Sequence, residues 1–317
     1  MNERFQDPGK AMPSTLADIM LSDEVDSPPS PPANLATQQR MGTALLLFLA
    51  TCVSTFFVGT FNAYTAGDYG LTEALQRGFL YAFSLMTILV FHEMGHFLQS
   101  RRYGVAATWP YFLPFLPPIG TMGAVIFMEP QMGHRRALFD IGITGPLAGL
   151  VPTIICCIVG IHLSNYRPST PFSLEPVRSV NFPLLFIWLF ELFGKEIPPG
   201  FSPVLHPIAF AGWVGLFITS LNLIPIGQLD GGHILYTLLK KNARFVSAIL
   251  LIAAFAFVVR FQLWGWSLML IILLMMGPKH PPTANDDEPL GVIRYILGWL
   301  TLAFIVIGFT PQPFSPN

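Results

Sequence analysis

The sequence predicts an all-α polytopic membrane protein with about seven transmembrane helices, two of them short, a short membrane-embedded extended segment and one broken helix. Three observations carry that prediction. Hydrophobic residues make up 52% of the 317 residues and charged ones 11%, against about 25% charged in soluble domains; mean hydropathy is +0.56. Apolar runs recur near the length of about 20 residues that a helix needs to cross a hydrocarbon core of about 30 Å. Two of these runs carry ionisable side chains at depths where lipid penalises them, which points to function rather than packing. The net charge of −1 gives no basic surface for nucleic acid, and no nucleic-acid partner is expected. Cys52, Cys156 and Cys157 all lie in apolar runs without C-x-x-C spacing and read as small packing residues.

Taken in order, residues 1–41 are polar and acidic, with a Pro/Ser-rich patch from Ser27 to Pro32. No basic stretch followed by an apolar one opens the chain, so this segment reads as a disordered cytoplasmic tail rather than a signal peptide. Residues 42–241 form the expected core. Gly42 to Ala63 is a first span. Gly78 to Leu98 is a second, closed by Arg101 and Arg102, which place that end in the cytoplasm by the positive-inside rule. The stretch Thr108 to Pro130 holds Pro110, Pro114, Pro117, Pro118 and Pro130, too many for a helix. Gly120 to Met128 within it suits an extended segment, either an embedded strand with an edge open to a partner or a loop at the interface.

Ala137 to Leu163 is a third span, in which Gly142, Gly145 and Gly149 permit close helix approach. Ser164 to Pro207 is a polar, proline-rich connection without a strand pattern, containing a short apolar helix from Phe182 to Phe193. A fourth span starts at Ile208 and is interrupted by Pro225, Gly227, Gly231 and Gly232 before a helical pattern resumes at Ile234. Lys240, Lys241 and Arg244 return it to the cytoplasm. Residues 242–317 add C-terminal spans over Phe245 to Val259, Leu263 to Met276 and Leu290 to Phe309, with Arg294 placed to snorkel to the interface.

The second span ends in His92-Glu93-Met94-Gly95-His96. Residues four apart share a helix face, so His92 and His96 can hold one metal ion, and Glu93 beside them suits proton abstraction from a water. A catalytic zinc site needs three protein ligands and one open position. Asp230 on the broken helix is the favoured third ligand, because both helices carrying these residues run to the cytoplasmic side. His233 competes from three residues on. Asp140 and His134, at a basic boundary, are weaker candidates.

His92-Glu93-x-x-His96 followed by Asn222-x-x-Pro225-x-x-x-Leu229-Asp230-Gly231 resembles the site-2 protease family of intramembrane zinc metalloproteases, and Gly145-Pro-Leu-Ala-Gly149 is similar to a further motif of that family. The resemblance runs from about Gly78 to Lys241. It implies that one Zn2+ per chain is held by His92, His96 and Asp230, with Glu93 as general base. Asn222 either contacts substrate backbone or the developing oxyanion, or satisfies backbone freed by Pro225. The implied substrate is a transmembrane protein cut in or near its span. The chain has no room between the motifs for a full PDZ domain and looks more like the PDZ-less branch. A metal-binding transporter and a non-catalytic zinc scaffold are the rival readings. The lack of a transit-type leader points to a bacterial inner membrane, with the active site towards the cytoplasm.

Overall fold

A helix in lipid satisfies its own backbone, so apolar length decides where the chain can cross and proline decides where it cannot. The computed structural model describes residues 33–65, 69–128, 133–168 and 181–314. Most of the expected tail, including the Ser27–Pro32 patch, lies outside them. Helix α1 spans Ala33–Thr65, so residues 33–41, expected in the tail, are helical. Helix α2 spans Leu71–Arg102 and starts a good turn before the apolar run. Glu73, Gln76 and Arg77 end the hydrophobicity there but not the helix, because an i,i+4 pair between Glu73 and Arg77 at 3.2 Å supports that turn.

The proline-dense stretch forms a hairpin. Strand β1 (Tyr111–Pro114) pairs antiparallel with β2 (Thr121–Val125), matching Phe112 to Ala124. The extended segment expected from Gly120 is therefore a strand, and its partner is the part of the stretch whose prolines conceal it. Pro114 closes β1, which leaves proline at a strand end in a two-stranded sheet made only of edges. The Tyr81 hydroxyl donates to the Ile119 carbonyl at 2.7 Å, and the Ser54 hydroxyl donates to the Gly120 carbonyl at 2.7 Å. These bonds tie the hairpin's turn to α2 and α1.

Helix α3 (Arg135–Leu163) begins at His134, whose Nδ1 accepts from the Ala137 amide. The connection that follows carries a small antiparallel ribbon, β3 (Asn165–Pro168) with β4 (Phe201–Val204), that no alternation in the sequence announces. Between them lies α4 (Leu184–Phe193), the expected short helix, which buries Phe186. Helix α5 (Pro207–Asn222) starts with proline at its first turn, where the missing N–H costs nothing. Then come α6 (Asp230–Leu239), α7 (Ala243–Arg260), α8 (Ser267–Met276) and α9 (Val292–Gly308).

By length and composition, four helical stretches among the described residues can cross a membrane: Met41–Thr65, Leu71–Arg102, Arg135–Leu163 and Asp230–Arg260. The seven expected crossings are thus not all carried by full-length helices. The last stretch is interrupted where Lys240 takes φ 53° at the end of α6. Helices α4, α5, α8 and α9 are shorter. Phe57, Phe79, Phe83 and Val151 are more than half exposed on the long helices, as faces turned to lipid should be.

The core forms where α2, α3 and α5 meet. Tyr81, Leu85, Leu89, Cys157, Ile161, Trp213 and Leu216 pack there, and Cys157 is fully buried as the packing residue it resembles. Its density depends on Gly160, where an added Cβ would lie 2.0 Å from the Ala209 nitrogen. Gly160→Val should therefore force α3 and α5 apart, an overpacking of about 1–3 kcal/mol. Thermal unfolding in detergent should show a midpoint several degrees lower; an unchanged midpoint would rule out this contact as a determinant of stability.

Candidate metal centre

Three donor side chains from two distant stretches converge on one point. His92 and His96 project from adjacent turns of α2, and Asp230 is the first residue of α6. His92 Nε2 lies 3.1 Å from Asp230 Oδ2, His96 Nε2 lies 3.2 Å from Asp230 Oδ1, and the two Nε2 atoms are 3.3 Å apart. The two histidines are 3% and 5% exposed. Ligand atoms at about 2.0–2.1 Å from a tetrahedral zinc ion would be separated by about 3.3 Å. The donor set therefore fits zinc in identity, number and spacing. Among the described residues, these three form the one group of histidine, cysteine or carboxylate side chains able to share an ion.

The ring of His96 is oriented by helix α3. Its Nδ1 donates to the Ile141 carbonyl at 2.8 Å. A proton held on Nδ1 leaves the Nε2 lone pair for the centre, the usual way an outer partner sets the tautomer of a ligand. The ring lies directly over Gly145, where a Cβ would sit 1.9 Å from His96 Nε2, while a Cβ at Gly149 would sit 2.9 Å from that of His92. The glycines expected to permit helix approach thus make room for the two imidazoles themselves. Glu93 is 3% exposed and is not one of the three grouped donors. The Asn222 Nδ2 stands 3.2 Å from His92 Nε2, at the edge of the cluster.

Asp230 reaches this depth through the turn between α5 and α6. Pro225 ends the α5 pattern, and Gly227 takes φ 62°. Helix α6 then begins at Asp230, earlier than the expected Ile234. Gly231 and Gly232 do not interrupt it: they are its first turn. A Cβ at Gly231 would lie 1.9 Å from the Leu223 carbonyl oxygen, and one at Gly232 would lie 2.4 Å from that of Gly227. These glycines serve close approach of the helix start to the turn before it. A carboxylate in the first turn is also favoured by the helix dipole.

The other ligand candidates are engaged elsewhere. His233 Nδ1 lies 2.6 Å from His280 Nε2, and His280 Nδ1 donates to the Pro281 carbonyl. His280 must therefore accept from His233. Burial lowers the His280 pKa, in keeping with a neutral acceptor. Asp140 accepts from both the Nε and Nη2 of Arg294 at 2.8 Å and from the Tyr103 hydroxyl at 2.5 Å. Arg294 is thus paired with Asp140. His134 caps α3 and lies 2.7 Å from Glu288. Sequence reasoning missed Ile141 and His280. Only the glycine spacing hinted at the first, and nothing local signalled the second.

Comparison with known proteins adds an independent line. The profile of Peptidase family M50 matches residues 80–261, more than half of the chain. The chain belongs to peptidase family M50. All three converging donors and Glu93 lie inside the M50 region. Among relatives of this M50 chain, the probable zinc metalloprotease EGY1, chloroplastic, of Arabidopsis thaliana is 30% identical over 237 residues, covering 73% of this chain and 42% of its own length. The protein of the same name from Oryza sativa subsp. japonica is 28% identical over 233 residues, covering 73% and 40%. The probable zinc metalloprotease EGY2, chloroplastic, of A. thaliana is 28% identical over 285 residues, covering 80% and 49%. The chain spans less than half the length of these relatives. Their names are chloroplastic, so the expectation of a bacterial inner membrane draws no support from them. No solved structure matches.

The seating of His96 on Gly145 makes a sharp prediction. Gly145→Ala should displace the imidazole and lower zinc stoichiometry well below one per chain, with helical circular dichroism retained. Full zinc content in that variant would show that the ring has another place to go.

Proposed function

We propose that this M50 chain is an intramembrane zinc metalloendopeptidase that hydrolyses peptide bonds in or near the transmembrane segments of membrane protein substrates. The observation that carries the reading is the meeting of His92, His96 and Asp230, whose donor atoms lie within 4.8 Å of one another. Two buried imidazoles facing a buried carboxylate present a donor set that a shared cation satisfies. Zinc is the ion that the donor set and the named relatives favour.

When bound by His92, His96 and Asp230, zinc supplies a Lewis acid that acidifies a water and polarises a carbonyl. The protein's own groups do the rest. Glu93, buried and outside the donor group, takes the proton of the attacking water and returns it to the leaving amine. A transport site would use such a carboxylate as a ligand, so its position favours hydrolysis over transport. Asn222, whose Nδ2 stands 3.2 Å from His92 Nε2, would donate to substrate backbone or to the oxyanion as charge develops. Ile141 keeps the His96 tautomer fixed through the cycle.

The substrate must unwind before its peptide bonds are accessible. The β1–β2 hairpin offers unpaired strand edges to an extended chain, a mode in which main-chain bonds hold the segment. The short helices α5 and α6, joined through residues 223–229, would complete one crossing between them, and α7, α8 and α9 the remainder of the seven. Residues 42–241 are the catalytic core of this reading, without a PDZ domain, and residues 242–317 are its C-terminal helices.

Glu93→Gln should keep about one zinc per chain and lose cleavage of a model single-span substrate by about 10²–10⁴-fold. Loss of the metal along with activity would move Glu93 into the ligand set and sink the assignment. Ala124→Pro, which alters the β2 backbone opposite Phe112, should reduce cleavage at unchanged zinc content; normal cleavage would remove the hairpin from substrate binding.

A further inference from the structure

Helix α9 lies beyond the M50 region, which ends at residue 261, yet one of its side chains reaches the neighbourhood of the centre. We infer that Arg294 is a positioning residue for the His96 imidazole, acting through Asp140. The inference rests on the proposed metalloprotease reading and deepens it.

The connection is short and each link is polar. Arg294 holds Asp140 with two parallel bonds of 2.8 Å, Nε to Oδ1 and Nη2 to Oδ2. Such a fork fixes the carboxylate in orientation as well as distance. Tyr103, the residue that caps the C-terminal end of α2, donates its hydroxyl to Oδ2 of the same carboxylate at 2.5 Å. Asp140 thereby joins three elements: the end of the helix that carries His92 and His96, the first turns of α3, and α9. The next residue is Ile141, whose carbonyl accepts from His96 Nδ1 at 2.8 Å.

Both ends of the His96–Ile141 bond are thus set by groups that Asp140 holds. Tyr103 fixes the end of α2 beyond His96, and the Arg294 fork fixes the turn of α3 that presents the acceptor. A displacement of about 0.5 Å between those two helices would stretch a 2.8 Å bond beyond its favourable range. A displacement the other way would press the ring towards the backbone at Gly145, over which it already lies closely. The Asp140 side chain is 16% exposed and that of Arg294 34% exposed, so the fork is sheltered enough to hold its geometry. A pair that merely tethered α9 would need neither Tyr103 nor a place beside Ile141.

The test uses the full chain purified in detergent. Zinc affinity is measured by competition with a chelator, and the Co2+-substituted protein is read by its visible absorption. Arg294→Gln should weaken zinc binding by about 10–100-fold, the usual cost of losing a ligand-orienting partner, and should shift the cobalt bands. Arg294→Lys should recover part of the affinity. Arg136→Gln is the control: it loses contacts to Glu288 and the Pro289 carbonyl and should leave affinity and spectrum unchanged. Wild-type affinity and spectrum in Arg294→Gln, or an equal loss in Arg136→Gln, would overturn the inference. Should Arg294→Gln not fold, the double variant Asp140→Asn/Arg294→Gln, which leaves no lone buried charge, is read in its place with the same expectations. Failure of both to fold also overturns it, since the pair then serves the whole fold. A wild-type protein that binds no zinc at all would instead sink the metalloprotease reading itself.

Discussion

The contact on which the rest of the structure depends is the one between the His96 imidazole and the backbone of α3 at Gly145. A side chain of any size at that position would occupy the space of the ring. Close approach brings the Ile141 carbonyl within reach of Nδ1 and turns Nε2 towards His92 and Asp230. Moved outward by a methyl group's width, α3 would lose the hydrogen bond, the tautomer would be free and the three donors would no longer share a point. The same closeness is repeated along the helix, at Gly149 beneath His92 and at Gly160 against Ala209. Helix spacing and the seating of the two imidazoles are thus set by one series of small residues.

Electrostatics explains why the arrangement must be held so firmly. A carboxylate and two imidazoles are costly to bury, and more so where surrounding helices exclude water. Contacts of both imidazoles with Asp230 offset part of that cost, and on the proposed reading a cation shared among them offsets the rest. Rigid elements keep the donors together: α2 carries two donors on one face, and the start of α6 is locked by Gly231 and Gly232 against the preceding turn. The loop between α8 and α9 adds a second layer, with His280 bound to His233 and Asp286 accepting from Tyr236 at 2.6 Å. Burial alone would raise the Asp286 pKa, but hydrogen bonds from Thr283 and Tyr236 outweigh it and lower it, so the carboxylate stays charged where it anchors that loop.

Much of this was legible from the chain because the chemistry is local. His92, Glu93 and His96 are neighbours on one helix, and the run through Pro225 to Asp230 declares a break in an apolar span. What escaped reading was of two kinds. The first concerns residues whose usual meaning is reversed by context. Gly231 and Gly232 signal a break by propensity, yet they open a helix because only hydrogen fits against the Leu223 and Gly227 carbonyls. Polar residues at the start of α2 end an apolar run without ending the helix. The second kind depends on distant partners. Asp140 has the look of a possible ligand until Arg294, 154 residues away, takes both its oxygens, and His233 is accounted for by His280, 47 residues on. No periodicity or spacing encodes pairings of that range.

That Asp230 is the first residue of α6 ties two processes that are separate in most metalloproteins. Helix ends fray more readily than helix middles, and here the frayed end and the departing ligand would be one and the same. On the proposed reading, the residence time of the ion is governed by how often the first turn of α6 opens. Gly231 and Gly232 bring that turn close against the Leu223 and Gly227 carbonyls. Metal exchange in such a centre would follow the kinetics of a backbone, not of a side chain.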